Sequence, residues 1–272
     1  MFNEKFTALA NEAAFAYEIL HLGVTQIRNA NYARKGRYFQ SFINLSVGLE
    51  RIGKICLILD YYIENDGSFP DEKYLKKNIG HNILKLYEKS ILIKNKYEFE
   101  FKFLNSLGNS IHQNILKIIS DFAIKDRYEN LNILVNAKQE NNPISLWFHN
   151  VDMELFEKHV SKKKKMKIVH SAHIMETLVA PFMLVMHSSE DGKDITNVEE
   201  ASLRTGLYEA VCPYRQLYVA HVIRFWTELI WELQYKAMAL RKEENIPFFS
   251  DIFGCFYNND SYLRTRKNYE TC

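Results

Sequence analysis

The chain has 272 residues, with 35 Lys+Arg against 33 Asp+Glu and a formal net charge of +2. Hydrophobic residues make up 47% and charged residues 25%, with 10 Gly and 5 Pro, which excludes a disordered, collagen-like or linker-dominated chain. The near balance of charge excludes a histone-like polycation but leaves room for local basic patches.

Apolar residues recur at helical spacing from the first turn, and no hairpin dipeptide joins alternating runs. A first helix is predicted over about Glu4 to Arg28, with Phe6, Leu9, Ala13, Ala16, Leu20 and Val24 on one face. A basic and aromatic link follows: Arg28, Tyr32, Arg34, Lys35, Arg37 and Tyr38. The second helix, about Tyr38 to Ile63, carries Phe42, Leu45, Leu49, Ile52, Cys56 and Leu59 as its stripe. Glu50 and Lys54 stand on it at i,i+4 spacing, suited to an ion pair.

Asn65-Asp66-Gly67 breaks that pattern. Pro70-Asp71-Glu72 opens a third helix to about Lys94, interrupted at Gly80. A fourth covers about Phe99 to Ala123. Asn141-Asn142-Pro143 has loop chemistry and divides a helical bundle, 1–140, from a helical C-terminal half, 141–272, which either packs into the same domain or stands beside it. Beyond it lie a short helix at Asp152 to His159 and a helix led by Lys162 to Lys165 that runs to Met186 with a bend at Pro181. An amphipathic segment spans Asn197 to Tyr208. Pro213 then opens the last long helix, with Tyr218, Val222, Phe225, Leu229 and Leu233 on its stripe. The expected fold class is all-α, a multi-helix bundle of about eight to ten helices.

The N-terminus carries no secretory pattern. The longest apolar stretch, Met175 to Met186, contains Glu176 and Pro181 and is too short to span a bilayer. The cysteines, Cys56, Cys212, Cys255 and Cys272, form no C-x-x-C pair and read as reduced thiols of a cytoplasmic protein. The chain lacks G-x-x-x-x-G-K-[ST], G-x-G-x-x-G and G-x-S-x-G patterns, which argues against common nucleotide-hydrolysing and serine-hydrolase designs. No cofactor is expected.

Three clusters carry candidate chemistry. His170, His173 and Glu176 share one helix face and could begin a metal site, but no second helix offers a matched Glu-x-x-His pair, and no metal is expected. The link at Arg28, Tyr32, Arg34, Lys35 and Arg37 interleaves cations with aromatics, as single-stranded RNA binding does; the run Lys162 to Lys165 is a weaker phosphate contact. Either could equally be a solvated basic connection.

The third cluster is Arg215, Gln216 and His221. Metal-free RNA cleavage needs a proton carrier near neutral pH and a fixed cation beside the phosphate, which imidazole and guanidinium supply. Arg215 follows Pro213 closely enough for the helix N-terminus to add its dipole. Six residues apart, the two side chains point about 120° from each other, so a two-fold dimer pooling two pairs suits the chemistry better than one straight helix. The alternative is an Arg in an ion pair and a His packed between helices.

Phe42 to Leu59, Asp66 to Pro70, Gly80 to Leu86 and Phe122 to Leu134 together resemble HEPN-superfamily helical domains. The matching residues are Glu50, Arg51, Lys54, Gly80, His81, Asn82, Arg127 and Tyr128, within roughly residues 38–135. The resemblance implies a helical bundle, frequent dimerisation and roles in RNA cleavage, toxin–antitoxin pairs and phage defence. Its catalytic formula is Arg, a polar residue, three to five more, then His. Arg215, Gln216 and His221 fit it, some eighty residues beyond the matching segment. The leading expectation is therefore a HEPN-like, metal-independent endoribonuclease of toxin or phage-defence type. RNA would be its substrate, a homodimer its working form, an antitoxin or defence-complex protein its partner, and no membrane is involved. Arg215 would hold the scissile phosphate, His221 would move the proton and Gln216 would orient one of them. The alternative is a non-catalytic helical interaction or nucleic-acid-binding module.

Overall fold

Two long helices form the base of the structure. The computed structural model describes residues 3–74, 80–137, 141–242 and 246–269. Helix α1 (Glu4–Asn29) starts where Asn3 accepts the Phe6 N–H, and buries Leu9, Ala13, Ala16, Leu20, Val24 and Ile27 at spacings of three and four. A short 3₁₀ turn (Tyr32–Arg34) reverses the chain into α2 (Gly36–Glu64). The two helices pack closely because glycines face leucines reciprocally. A Cβ on Gly23 would lie 2.8 Å from Leu45 Cδ2, and one on Gly48 would lie 2.6 Å from Leu20 Cγ.

The layers above are α3 (Ile83–Lys96), α4 (Ser110–Ile124) and α5 (Glu129–Leu134), followed by α6 (Pro143–Trp147) and α7 (Met153–His159). A π-helical turn, Phe148–Asp152, separates the last two. Next come α8 (Lys162–Val179), a two-stranded hairpin of β1 (His187–Ser188) and β2 (Asp194–Ile195), then α9 (Val198–Ala239), α10 (Phe249–Phe253) and α11 (Asp260–Thr265). Among the described residues there are eleven α-helices and only this one small sheet, so the all-α class holds. No described helix is long and apolar enough to cross a membrane.

The 42-residue α9 is the axle of the structure. It buries Val219, Val222, Phe225, Trp226, Leu229 and Leu233 against α1, α2 and α4, and the Trp226 indole N–H donates to Ser90 Oγ at 2.9 Å. One core cluster runs from Leu9 to Tyr269, so the residues on both sides of Asn141 share it. Asn142 still behaves as loop chemistry demands: its side chain caps the Ser145 N–H, with Pro143 in the first turn.

Several expected boundaries are corrected. The segment from Asn197 and the helix expected to open at Pro213 are one helix. Proline removes one N–H, and the Glu209 carbonyl it abandons is approached instead by Cys212 Sγ at 3.7 Å. Helix α4 begins at Ser110, not near Phe99. Upstream, the backbone N–H groups of Phe101, Phe103 and Leu107 find Asn105 Oδ1, Glu228 Oε1 and Tyr87 Oη, which replaces the helical ladder. Helix α8 ends at Val179, just before Pro181. Part of the expected third helix, 75–79, lies outside the described residues; the break at Gly80 is real, with φ +56°. Cys56 and Cys212 are thiols, but Cys255 is disulfide-bonded, contrary to the expectation of four reduced cysteines.

Candidate functional site

The polar residues singled out on α9 fall into two separate clusters. Arg215 is buried, with 1% of its side chain exposed, and meets Asp152, which has none exposed. Its Nε donates to Asp152 Oδ1 at 2.8 Å and its Nη2 to Oδ2 at 2.5 Å. Nη2 also donates to Tyr38 Oη at 3.1 Å, and Nη1 to the carbonyls of Ile27 (3.1 Å) and Ala30 (2.7 Å). A guanidinium has five N–H donors, and all of them are used. The two carbonyls are those that α1 leaves open at its C-terminus, where a cation is favoured. The π turn matters here, because it swings Asp152 inward, where Trp147 Nε1 also donates to it at 3.0 Å. Burial alone would lower the Arg215 pKa, but the Asp152 charge outweighs it and holds the group above its ordinary value.

This corrects two expectations about Arg215. It lies mid-helix, away from the N-terminus of α9 and its dipole. It has no donor left for a phosphate. It is the closing bolt between α1, α2, α9 and the π turn.

Gln216 is buried as well. Its Nε2 donates to the carbonyls of Leu263 and Arg266, and its Oε1 accepts from Arg28 Nη1 at 3.0 Å. It therefore fastens the C-terminal segment and orients neither Arg215 nor His221.

His221 belongs to the second cluster. Its Nδ1 lies 3.1 Å from His112 Nε2 and its Nε2 lies 3.0 Å from Asp260 Oδ1. Arg224 Nη1 approaches the same Asp260 oxygen at 2.9 Å and donates to the Asn258 carbonyl at 2.8 Å. The carboxylate accepts only, which fixes the tautomers. His221 carries its proton on Nε2 toward Asp260, so Nδ1 accepts from His112 Nε2–H. The remaining nitrogen, His112 Nδ1, is buried without a partner. Burial, with the positive charges of neighbouring groups, pushes His112 down to about 3 and His221 down to about 4. Both rings are neutral at pH 7, and both nitrogens of His221 are engaged.

Arg215 and His221 thus point to different helices, as their 120° separation implies, and do not line a common groove within one chain. The basic link is also partly committed. Arg28 donates inward to Gln216 and to the Arg264 carbonyl, Tyr32 Oη to the Ala201 carbonyl at 3.3 Å, and Lys35 Nζ to Ser188 Oγ at 2.6 Å. Arg34 is exposed and Arg37 half-buried. The aromatic rungs are therefore not a free stacking ladder.

His170 is exposed, His173 faces Glu199 at 3.8 Å and Glu176 accepts the Glu199 N–H. Among the described residues no group of three His, Cys, Asp or Glu could hold a metal ion. Of the residues behind the HEPN resemblance, Glu50 does pair with Lys54 at 2.5 Å and with His81 at 2.9 Å, and Asn82 caps α3.

What the sequence reading missed is the surface around α8. The helix is held by Ile168 and Ala172, and leaves Met166, Val169, Ile174, Met175 and Leu178 exposed. The segment after it holds Phe182 87% exposed, Leu184 83% and Met186 79%. Beside the N-terminal half of α8 runs a groove of about 390 Å³ floored by Phe148, Met153, Phe156, Val169, Leu203 and Leu207. The signal lies in the apolar run after Met175, which the sequence reading weighs only as a membrane span. Comparison of the chain with protein-family models, curated proteins and solved structures finds no match.

Proposed function

We propose that the protein is a non-catalytic helical interaction module whose working surface is α8 and the 180–186 segment. The observation that supports this reading is the exposed apolar surface there. Nine large apolar residues between Met166 and Met186 are exposed, and four of them, Phe182, Met183, Leu184 and Met186, lie close together in the segment that follows α8. Leaving that much apolar surface in water is unfavourable unless something covers it. The competing nuclease reading requires Arg215 to abandon Asp152, Tyr38 and two helix-end carbonyls before it can meet a phosphate.

Exposed methionines test the reading directly, because thioethers oxidise where solvent reaches them. Met166, Met175, Met183 and Met186 are exposed, and half-buried Met238 on α9 serves as the reference. Brief hydroxyl-radical labelling in cells that make the chain at its natural level should oxidise those four several-fold more slowly, relative to Met238, than in the dilute purified protein. Equal relative rates in the two samples would mean that nothing covers the surface.

A further inference from the structure

We infer that a second groove between α8 and α9, on the side of Lys164 and Lys167, is a binding site for a small phosphate monoester whose remainder is a polyol, of the size of glycerol 3-phosphate. The site lies outside the interaction-module reading and does not depend on it. The apolar groove takes Lys165, Ile168 and Val169 from α8. This one takes Lys164, Lys167, Ile168 and Ser171, so the two flank the helix on either side of Ile168.

Two stripes of sequence build the groove. On α8, Lys164, Lys167 and Ser171 stand at spacings of three and four, and on α9 so do Ser202, Thr205 and Glu209. Gly206 lets the stripes approach each other, because a Cβ there would lie 2.6 Å from Ile168 Cγ2. The cavity between them measures about 260 Å³.

Its donors are uncommitted. Lys165 answers Glu157 at 2.6 Å, but among the described residues Lys164 and Lys167 enter no ion pair. Hydroxyls inside helices commonly turn back to the carbonyl four residues earlier. Thr205 does so to Ala201 at 2.9 Å, and Thr177 to His173 at 3.0 Å. The Ser171 and Ser202 hydroxyls have no hydrogen-bond partner among the described residues. Two ammonium groups and two open hydroxyls therefore line one small cavity. A phosphate monoester answers all four, with a charge of about −1.5 to −2 and three terminal acceptor oxygens. A diester would bring a single charge to two ammonium groups.

Glu209 and the volume decide the rest of the ligand. The Glu209 carboxylate lines the same cavity, yet it pairs with neither lysine. A carboxylate only accepts hydrogen bonds, so it repels a bare anion and suits the hydroxyl donors that a polyol carries beside its phosphate. About 260 Å³ falls below the ~300–1,000 Å³ of pockets for drug-sized ligands, which favours a three-carbon phosphate over a nucleotide.

The test is calorimetric titration of the purified chain with glycerol 3-phosphate at about 0.15 M salt, which screens contacts that rest on the general field alone. Wild type should bind with a dissociation constant of about 0.1–1 mM, as suits a ligand of so few atoms. Lys164→Ala and Lys167→Ala should each weaken binding about 10-fold or more, as loss of a charge-assisted contact does. Glu209→Ala should separate two probes, weakening glycerol 3-phosphate while tightening inorganic phosphate. Lys162→Ala combined with Lys163→Ala removes two exposed charges from the same turn without touching the groove, and should leave the affinity within about twofold. The substituted lysines and Glu209 are exposed, and thermal unfolding of each variant will match the wild type if its fold is intact. No heat of binding and no rise in Tm up to about 10 mM glycerol 3-phosphate would overturn the inference. So would an equal loss of affinity in the Lys162 and Lys163 double variant. A phosphoserine peptide that binds more tightly than glycerol 3-phosphate would place the phosphate on a protein and overturn it as well.

Discussion

Replacing Arg215 by methionine separates a structural arginine from a catalytic one. The substitution keeps most of the length of the side chain but leaves Asp152 buried, with no part of its side chain exposed, and deprived of its counter-ion. Removing one member of a buried pair costs about 3–5 kcal/mol, because the remaining charge is stranded. The carbonyls of Ile27 and Ala30 also lose their donors, so the upper half of that range applies. With an unfolding entropy of about 2.1 cal/mol/K per residue, a cost of that size lowers Tm by about 7–9 °C. The assay is thermal unfolding by circular dichroism, backed by urea midpoints. Arg215→Met combined with Asp152→Leu should regain most of the loss, since no charge is then stranded. An unchanged Tm for Arg215→Met would refute the reasoning and show that the side chain is not needed to hold the fold.

Three other outcomes follow from the packing and the titrating groups. His21, His112 and His221 are all buried, with pKa values pushed by burial to about 4, about 3 and about 4. Below pH 6.5 the unfolded chain takes up protons that the folded one refuses. Stability is therefore full above pH 6.5 and falls as the pH drops toward 4, by about 1.4 kcal/mol per unit for each histidine, which urea midpoints across pH 4–8 will show; a flat profile would contradict the burial of these rings. Gly53→Ala would place a Cβ 2.3 Å from Leu86 Cδ2 in the α2–α3 contact, and should cost about 1–3 kcal/mol in urea unfolding. Pro213→Ala returns an N–H to the Glu209 carbonyl within α9 and should raise Tm by a few degrees; a fall in Tm would mean that the proline ring is packed too well to lose.

Local patterns read well from the sequence, and long-range partners did not. The stripes of α1 and α2 were legible residue by residue, because spacing alone decides which side chains share a face. So were the Glu50–Lys54 pair and the loop at Asn142-Pro143. Pro213 misled because proline starts helices more often than it sits inside them, and here the packing of α9 on both sides overrides its local preference. Arg215 misled for a related reason. Its partner Asp152 is sixty-three residues away and reaches it through a π turn that leaves no sequence signature. His112 and Asp260 are likewise set by α4 and α11 meeting on α9, which spacing cannot foretell. The apolar run after Met175 was visible, but whether such a run is core or surface depends on what packs over it.

The most direct test of the account is incubation of the purified protein with total RNA in EDTA, beside His221→Ala. The RNA should stay intact in both samples over hours. Time-dependent cleavage by the wild type that disappears in His221→Ala would contradict it, and would make the imidazole between His112 and Asp260 a working catalyst.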